Sequence, residues 1–497
     1  MDSYDQLHVI SDLHFGGQKG RQIFNQGPAL AAVIDHLGAL DPALRVGLVI
    51  NGDVIDFLAD AEDGRYFNPL HAVTTLEDIL IDPAFRPVFE ALARFVHADN
   101  RTLVLAMGNH DVELGLRDVE ARLLQALGGD DLRARARIQY VMDGAGYLCL
   151  VGGDKVLAVH GNETDAWNPI DYEALRRTVR ALNRGAPTDA WNPNAGTRLV
   201  VDVMNGIKKR YPFVDLLKPE TIAVPQLLLA LPTDYKASLM GFARSVGREV
   251  FDDGRKYFGL LSAGDGDDGR QALDALISKG PLPRAARLAP IDEDPLAAAA
   301  GHLAAGTRPI DLLDAAEAKE TLGLGGLLLD RLFGRDPREN LREALVTYMG
   351  DDQTFSLGGK DEVFDALDKD VASDVRFIIA GHTHLERRLL RKRGSGVYYN
   401  SGTWIRLIRL SESMLRTRES FAPLYDALMS EDMNDLDRAT SVDGQERLVL
   451  QRGTMVSIES TGSGARAELR HAALAPGESL PAAPAPPWRS VPGSQYP

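Results

Sequence analysis

Acidic, amide and imidazole side chains recur in short segments that are spread along this 497-residue chain. The residues in these segments that could do chemistry are Asp12, His14, Asp53, Asn109, His160, His382 and His384. Imidazole, carboxylate and amide oxygen suit manganese, iron, zinc or cobalt, and none of the segments offers a thiolate that would favour a structural zinc site. In Asp-x-His or His-x-His both side chains can reach one ion, and a carboxylate such as Asp53 can bridge two. The pattern therefore indicates a centre of two metal ions.

The motifs indicate a metal site only in combination, because each one alone is common in proteins without such a site. A single Asp-x-His pair is usually a solvated pair, and Gly-Asn-His is often only a turn. Here, more than half of the eleven histidines fall within the segments. His8 lies inside an apolar run and is interpreted as a core residue or as one that supports a ligand. Gly52, Gly108 and Gly381 directly precede ligands, where the backbone must turn sharply or approach a substrate closely.

Each segment follows an apolar, β-branched run that predicts a buried strand. These strands are predicted at residues 7–10, 46–50, 103–106, 156–159 and 375–380. Amphipathic patterns at 28–40 and 84–98 predict helices between the first three strands, which is the rhythm of a layered α/β core. Because ligands bind at the carboxyl ends of strands in open α/β sheets, we expect all the segments to converge on one crevice.

Further strands are expected outside the ligand segments. Residues 134–159 predict a hairpin with turns at Asp143-Gly144 and Gly152-Gly153-Asp154. Cys149 lies in an apolar run of this hairpin and is interpreted as a buried strand thiol rather than a nucleophile. Strands are also predicted at 397–400, 404–410, 447–450, 455–460 and 465–470, of which 447–450 and 455–460 are expected to form a late hairpin.

The chain divides into regions of different composition. Between residues 170 and 350 strand signals nearly vanish, which predicts a mainly helical insertion. We therefore expect a discontinuous core of residues 1–170 and 351–475, a helical cap insertion at 171–350, and a disordered Pro-rich tail at 476–497. Because the insertion separates two strands that both lead to ligands, it should overhang the crevice and select the substrate.

The order of the motifs resembles that of the calcineurin-like metallophosphoesterase superfamily, in a bacterial form with a large helical insertion. The resemblance rests on Asp-x-His, Gly-Asp-x-x-Asp, Gly-Asn-His-Asp, His-Gly and Gly-His-Thr-His, and it covers residues 5–170 and 371–405. It implies an α/β fold, a two-sheet β-sandwich flanked by helices. It also implies two divalent or trivalent metal ions, manganese, iron or zinc. By this resemblance one ion is held by Asp12, His14 and His384, the other by Asn109, His160 and His382, and Asp53 bridges them.

The same resemblance implies a phosphoesterase that hydrolyses a phosphomonoester or a phosphodiester. In that chemistry two metal ions activate a hydroxide for attack on phosphorus and stabilise the phosphoryl oxygens. His110, next to Asn109, resembles the family's general acid, which protonates the leaving oxygen. Asp56 resembles the carboxylate that orients this histidine and keeps it protonated. Asp111 is interpreted as a turn or helix-capping residue.

Departures from the patterns of known subfamilies narrow the choice of substrate. Phosphoprotein phosphatases place arginines where this chain has Phe57 and Met107, so a clamp for a protein-bound phosphate is missing. Purple acid phosphatases have a tyrosine where Asp56 stands, which argues against a purple centre. The bacterial UDP-diacylglucosamine hydrolases share the Ser-Asp-Leu-His start but carry arginine where His110 stands. A lipid-sugar pyrophosphatase of that kind, a metal-dependent nuclease and a non-catalytic scaffold stay open as alternatives.

The net charge of −16 bears on the partners of the protein. An acidic protein gains nothing from releasing the counterions of nucleic acid, so broad nucleic-acid binding is disfavoured, whereas metal ions can attract a small phosphorylated substrate. A single cysteine excludes an internal disulfide framework and favours a reducing compartment. The N-terminus lacks the features of a signal peptide and no run is long enough to span a membrane, so a cytoplasmic location is expected. The sequence indicates no particular oligomeric state.

Substrate contacts are expected near the start of the insertion. The candidates that directly follow His160 are Asn162, Asp165 and Trp167. A basic cluster further along consists of Lys208, Lys209 and Arg210. This cluster is either a contact for phosphate or anionic lipid, the latter implying peripheral membrane contact, or the solvated cationic end of a helix.

A hexapeptide occurs twice in this region. Residues 164–169 and 188–193 both have the sequence Thr-Asp-Ala-Trp-Asn-Pro. The unit is too short and too isolated to mark a repeat architecture. It is either a local duplication without function or a pair of similar turns that face the substrate.

Overall fold

Two β-sheets packed face to face form the centre of the molecule. The computed structural model describes residues 1–59, 61, 65–218, 336–349, 354–450, 452–473 and 486–497. The strands are β1 (Ser3–Tyr4), β2 (Gln6–Ile10), β3 (Val46–Asn51), β4 (Arg101–Ala106), β5 (Ile138–Val141), β6 (Tyr147–Val151), β7 (Asp154–Ala158), β8 (Val375–Ala380), β9 (Arg387–Leu390), β10 (Val397–Asn400), β11 (Leu407–Ile408), β12 (Val449–Leu450), β13 (Thr454–Thr461), β14 (Gly464–Ala472) and β15 (Trp488–Ser490).

The ligand strands are divided between the two sheets. The first sheet has the strand order β15-β14-β13-β2-β3-β4-β5, in which β2 to β5 run parallel and β13 joins β2 in the antiparallel sense. The second sheet has the order β1-β6-β7-β8-β10-β9, in which β7 and β8 are parallel neighbours. All the strands that precede predicted ligands therefore occur where the sequence predicts them.

Alternating side chains of these strands build the hydrophobic core between the sheets. Leu7 and Val9 of β2 enter this core, which they share with Ile379 of β8 and with the buried thiol of Cys149. Ile10 lies on the opposite face of β2 and packs with the helices outside the sheet. The alternation follows from the two-residue period of a strand, and apolar residues on both faces mark a strand that is covered on both sides.

The helices of the described residues either cover the outer faces of the two sheets or pack with one another in a separate core. They are α1 (Gly27–Gly38), α2 (Ala72–Ile81), α3 (Arg86–His97), α4 (Arg117–Gly128), α5 (Leu132–Ala136), α6 (Tyr172–Leu182), α7 (Ala195–Arg198), α8 (Asn205–Lys208), α9 (Pro337–Met349), α10 (Glu362–Asp370), α11 (Glu412–Leu415), α12 (Arg418–Leu428) and α13 (Met433–Arg438). Helices α1 to α4 cover the first sheet, and α10 covers the second. The predicted two-sheet sandwich flanked by helices is therefore confirmed. Among the described residues, no helix combines the length and the apolar character that crossing a bilayer requires.

The described parts of the predicted insertion are mostly helical. Helices α6, α7 and α8 lie in its first part, with a π-helical turn at Leu199–Met204 and a 3-10 helix at Pro212–Leu216, and α9 lies near its end. Ile207 and Leu341 from these parts pack with Phe421 of α12 in a second hydrophobic core. This core joins the insertion to the C-terminal helices. Residues 219–335 of the insertion lie outside the described residues.

The late hairpin is formed by different strands from those predicted. β13 pairs with β14, so the hairpin turn lies at Thr461–Gly464. β12 pairs instead with β11, which occupies only two residues of the predicted strand at 404–410. The prediction of a 447–460 hairpin is therefore wrong. A short apolar run indicates a strand but not its partner, because pairing depends on the neighbours that the tertiary fold supplies.

The predicted hairpin at 134–159 is correct for β6 and β7 only. These strands pair antiparallel around Gly152-Gly153. β5 lies in the other sheet, where it pairs with β4. The chain at Asp143-Gly144 therefore crosses from one sheet to the other and does not turn a hairpin.

The prediction of a disordered tail is wrong for residues 486–497. Strand β15 pairs with β14, and Tyr496 forms a bridge to Ala467. The guanidinium of Arg470 lies 5.3 Å from the ring centre of Trp488. Backbone pairing and this cation–π contact outweigh the Pro-rich composition on which the prediction rested.

Candidate metal centre

The predicted ligands lie beyond the carboxyl ends of strands from both sheets. Asp12, His14, Asp53 and Asn109 follow β2, β3 and β4 of the first sheet, and His160, His382 and His384 follow β7 and β8 of the second. Contacts join the two sets: His160 Nε2 lies 3.2 Å from Asp53 Oδ2, and His384 Nε2 lies 3.3 Å from Asp12 Oδ1. The sandwich thus brings the ligand segments into one crevice between its sheets.

Three overlapping groups of side chains in the described part of the chain could hold a metal ion. Within each group, one ligand atom per residue lies within 4.8 Å of the others. The groups are Asp12 with His14 and His384, His14 with Asp53 and His110, and Asp12 with Asp53 and His160. Because Asp12, His14 and Asp53 each belong to two groups, the three groups form one connected cluster. His110, which the sequence predicts as a general acid, belongs to one of these groups together with His14 and Asp53.

Asn109 and His382 complete the predicted set. The buried Oδ1 of Asn109 has no hydrogen-bond partner among the described residues, and a buried acceptor in that state needs a further partner. The backbone N–H of His382 donates to both carboxylate oxygens of Asp12 at 3.1 Å. The His382 and His160 ring centres lie 5.5 Å apart. An orphaned amide oxygen among carboxylates and imidazoles fits a site for a divalent cation.

The backbone of the ligand segments is held in an uncommon conformation. Left-handed φ values occur at Asp12 (55°), His14 (48°), Asp53 (53°), His382 (69°) and His384 (61°). Asn100 is the remaining non-glycine residue with positive φ in the described ranges. Each such residue costs on the order of 1–3 kcal/mol, and the surrounding structure must impose it. Backbone strain in this protein is therefore concentrated at the candidate ligands.

The glycines that precede ligands leave no room for a side chain. A Cβ added to Gly52 would lie 2.3 Å from His160 Nδ1, and one added to Gly108 would lie 2.2 Å from Asp53 Oδ1. A Cβ on Gly381 would lie 2.7 Å from Asp12 Oδ2. These glycines are needed because one ligand segment passes directly over the ligand of another.

Gly52→Ala is expected to destabilise the fold by more than the ~1–2 kcal/mol that a left-handed φ costs a side chain, and to reduce bound metal. The reason is that the added carbon displaces the His160 ring. Gly153→Ala is the matched control, because its φ is 89° against 88° for Gly52 and nothing described lies within 4 Å of its added carbon. Thermal denaturation and metal content would be measured for both variants. Equal effects would contradict the role assigned to close approach.

His110 and Asp56 form a hydrogen-bonded pair beside the ligands. His110 Nδ1 lies 3.1 Å from Asp56 Oδ1, while His14 Nδ1 lies 3.2 Å from Asp56 Oδ2. Burial alone would lower the pKa of His110, but the charges of Asp56 and Asp53 and the hydrogen bond to Asp56 outweigh it and raise that pKa to about 9. Burial likewise opposes ionisation of Asp56, yet the two imidazoles hold its pKa far below its usual range. Asp56 therefore supports both the predicted acid and a predicted ligand.

Asp111 connects two ligand segments, a role that the sequence does not predict. Its Oδ1 accepts a hydrogen bond from the Gly108 N–H at 2.6 Å, and its Oδ2 accepts one from the Val54 N–H at 2.8 Å. Its side chain does not cap the 3-10 helix that follows. Burial and the charge of Asp53 raise the pKa of Asp111 to about 7. This carboxyl group ties the segment after β3 to the segment after β4.

The part of the chain that supplies most of these ligands matches a known family. Residues 6–218 match the family model described as calcineurin-like phosphoesterase. The chain carries a calcineurin-like phosphoesterase domain. The match confirms the expected superfamily, and the Asp and His groups described above could hold a metal ion. No curated protein matches the chain.

The residues that match the family model differ from those that carry the motif resemblance, 5–170 and 371–405. The match continues past residue 170 into α6, α7 and α8, and it does not include residues 371–405. The phosphoesterase domain nevertheless takes His382 and His384 from that second stretch, since both contact Asp12. The ligand set is therefore wider than the matched region.

The first copy of the hexapeptide contacts the predicted ligand His382. A hydrogen bond of 2.9 Å joins His382 Nε2 and Asp165 Oδ2. Asp165, a predicted substrate residue, is thus engaged by a predicted ligand, which fixes the orientation of that imidazole. Asn162 is fully buried and donates to Asn168 O at 2.9 Å. Trp167 is partly exposed and lines neither of the cavities described below.

Asn168 of the same copy connects the predicted ligand Asn109 with Asp165, and the sequence analysis did not single it out. Its Nδ2 donates to Asp165 Oδ2 at 2.7 Å, and its Oδ1 accepts from Asn109 Nδ2 at 3.5 Å. The second contact turns the Asn109 Oδ1 away from Asn168 and leaves it for another partner. The signal that could have identified Asn168 is its place in the repeated hexapeptide.

Asp165→Asn is expected to weaken metal binding roughly 10- to 100-fold, as is typical when a carboxylate that supports a ligand histidine is removed. The affinity for Mn²⁺ would be measured by competition with a chelator. Asp189→Asn is the matched control, because Asp189 has the same place in the second copy of the hexapeptide and is exposed. If the two variants bind Mn²⁺ equally well, Asp165 does not position His382.

The second copy of the hexapeptide lies beside His110. Trp191 stacks on Phe67 with 4.6 Å between ring centres. Trp191 and Asn192 line a cavity of about 350 Å³ together with His110. The segment that follows contacts the first copy, where Asn194 Nδ2 donates to Pro169 O at 3.1 Å. Both copies of the hexapeptide therefore lie next to the candidate ligands. This placement favours the interpretation of two similar turns near the substrate, and it disfavours a local duplication without function.

The structure divides the predicted basic cluster. Lys208 and Lys209 line a cleft of about 660 Å³ that also reaches His14. Arg210 is exposed, does not line this cleft, and holds its guanidinium 5.5 Å from the ring centre of Tyr211. Two of the three cations therefore lie next to the candidate metal centre.

Proposed function

We propose that this protein is a phosphoesterase that hydrolyses a small phosphomonoester or phosphodiester with two bound metal ions. The observation that carries the proposal is the position of Asp53 between ligands from both sheets. Its Oδ2 lies 3.2 Å from His160 Nε2 and 3.7 Å from His14 Nε2. A buried carboxylate with an imidazole on either side supports a bridging role between two ions.

The ligand assignment is the one that the resemblance to the family implies, and the grouping of Asp12, His14 and His384 supports its first ion. In the proposed centre, one ion is held by Asp12, His14 and His384, the other by Asn109, His160 and His382, and both by Asp53. Manganese, iron and zinc all suit this set of nitrogen and oxygen ligands. When bound, such ions polarise phosphoryl oxygens and lower the pKa of water.

The chain's own residues would supply the proton for the leaving group. His110 is the proposed donor, because the carboxylates of Asp56 and Asp53 favour its protonated form. The hydrogen bond to Asp56 fixes the ring so that its other nitrogen is directed away from that carboxylate. The His110 side chain is 18% exposed, so the ring is accessible to a substrate but largely shielded from water.

The alternatives receive less support. Broad nucleic-acid binding is disfavoured by the net charge of −16. A binding scaffold would gain nothing from left-handed φ values at its ligand positions, which cost on the order of 1–3 kcal/mol each. A cytoplasmic location stays a prediction.

The direct test is hydrolysis of 4-nitrophenyl phosphate and bis(4-nitrophenyl) phosphate by purified protein with added Mn²⁺. We expect turnover of at least one substrate, and loss of that turnover when a chelator removes the metal. The ratio of the two rates distinguishes a monoesterase from a diesterase. If neither substrate is hydrolysed and the protein retains no metal, the proposed function is wrong.

A further inference from the structure

The cleft beside His14 and Asp56 is lined by more cationic than acidic side chains, although the protein is acidic overall. Its cationic side chains are Arg21, Lys208 and Lys209, and its carboxylates are Asp56 and Asp215. The protein as a whole carries a net charge of −16. Because charges beyond ~8–10 Å are screened at physiological salt, an approaching anion meets mainly these local charges. Arg21 forms an ion pair of 3.1 Å with Glu431, so Lys208 and Lys209 are the cations of interest in the cleft.

The carboxylates of the cleft are already engaged by cationic or imidazole groups. Asp56 is hydrogen-bonded to His14 and His110. Asp215 forms an ion pair of 2.8 Å with Lys208, whose side chain is only 18% exposed. This pair holds the Lys208 ammonium in place at the wall of the cleft. Lys209, the next residue, is exposed at the end of α8 and lines the same cleft.

The remaining walls suit a small group and not a flat surface. Gly16 and Gly17 bring the backbone close to Asp56, since a Cβ on Gly16 would lie 2.6 Å from the Asp56 carbonyl oxygen. Pro212 and Met433 add apolar surface to the cleft. The cleft therefore has a close backbone wall and apolar side chains in addition to its cations.

We propose that this cleft binds a second phosphate group of the substrate, so that the preferred substrate is a small bisphosphate in which one phosphate lies at the metal centre. The inference rests on the proposed function, because the first phosphate is the one that the metal centre would hydrolyse. Lysine ammonium groups bind phosphate as point charges, and hydrogen bonds to charged groups are stronger than those between neutral groups. The second phosphate would be held by Lys209 and Lys208 across the cleft from His14.

The test compares substrates that differ only in the second phosphate. Release of inorganic phosphate from propyl phosphate, propane-1,3-diyl bisphosphate and pentane-1,5-diyl bisphosphate would be measured with Mn²⁺-loaded protein. We expect kcat/KM for one of the bisphosphates to exceed that for propyl phosphate roughly tenfold or more, mainly through KM. The preference should fall as salt concentration rises.

Two neighbouring residues provide a matched pair of variants. Lys209→Ala should reduce the preference for the bisphosphate to near one, and Lys209→Arg should restore most of it. Arg210→Ala removes the same charge from the adjacent position, which does not line the cleft, and should leave the preference as in the wild type. Circular dichroism of the variants would show that each is folded.

The outcomes separate this inference from the proposed function. If propyl phosphate and both bisphosphates are hydrolysed equally well, the second phosphate site is refuted and the phosphoesterase stands. If none is hydrolysed and model aryl phosphates are also inert, the proposed function itself fails. Binding to phosphatidylglycerol vesicles that is lost equally in Lys209→Ala and Arg210→Ala, without any bisphosphate preference, would replace the cleft by a membrane contact.

Discussion

Replacing Asp53 with asparagine is expected to abolish metal binding and phosphoester hydrolysis together. Asp53 is 1% exposed, and its Oδ2 faces His160 and His14 while its Oδ1 accepts the His110 N–H at 2.9 Å. Asparagine keeps the volume and one acceptor but has no negative charge with which to bridge two cations. The loss of metal affinity should exceed the ~10–100-fold that follows removal of a residue that only supports a ligand.

The experiment needs a control for loss of a buried charge. Asp368→Asn serves, because Asp368 is 3% exposed and pairs with Arg391 at 3.0 Å in α10, on the outer face of the second sheet. Metal content by mass spectrometry, thermal denaturation and phosphate release would be measured for both variants. Asp368→Asn should lower stability yet retain metal. An Asp53→Asn protein with full metal content would show that Asp53 does not bridge.

His110→Asn is expected to retain bound metal while turnover falls by roughly 10²- to 10⁴-fold. The loss should be larger for an alkyl phosphate than for 4-nitrophenyl phosphate, because nitrophenolate can leave without a proton whereas an alkoxide cannot. Metal retention is an informative readout here, since His110 lies at ligand distance from His14 and Asp53. Phosphate release from both substrates and metal content would be measured on the same preparation.

The control for His110→Asn is the same substitution at a histidine that is not a predicted ligand. His97→Asn alters an exposed histidine at the end of α3 and should change neither metal content nor rate. If His110→Asn loses as much metal as Asp53→Asn, His110 is a ligand and the division of roles is wrong. If the alkyl and aryl substrates lose rate equally, His110 does not act as a proton donor.

The sequence predicts the ligand strands well because two independent signals coincide there. A buried strand carries an apolar run, and the loop after it carries side chains that an apolar core would not accept, as in Ile50 followed by Asp53. The general rule that ligands gather at strand ends then places these loops together without any knowledge of the pairing. The αL backbone at Asp53 and His384 could not be predicted, because it is imposed by contacts between segments that are far apart in the chain.

Residues that support the site were predicted less well. Asp165 appears beside His160 in the sequence and was expected at the substrate, but its partner is His382, which lies more than two hundred residues away. Asp111 reaches Val54 in the same way. Such roles depend on which loops the fold brings together, and no local pattern carries that information. Strand pairing fails for the same reason, since β12 is bonded to β11 and not to the adjacent β13.

The division of the ligands between the two sheets has a consequence for the time at which the centre can form during synthesis. Asp12, Asp53, Asn109 and His160 leave the ribosome early, whereas His382 and His384 follow β8. A nascent chain that ends before β8 lacks two of the seven predicted ligands, together with the strand that pairs with β7 and positions them. The complete set of predicted ligands therefore exists only in a chain whose synthesis has passed residue 384.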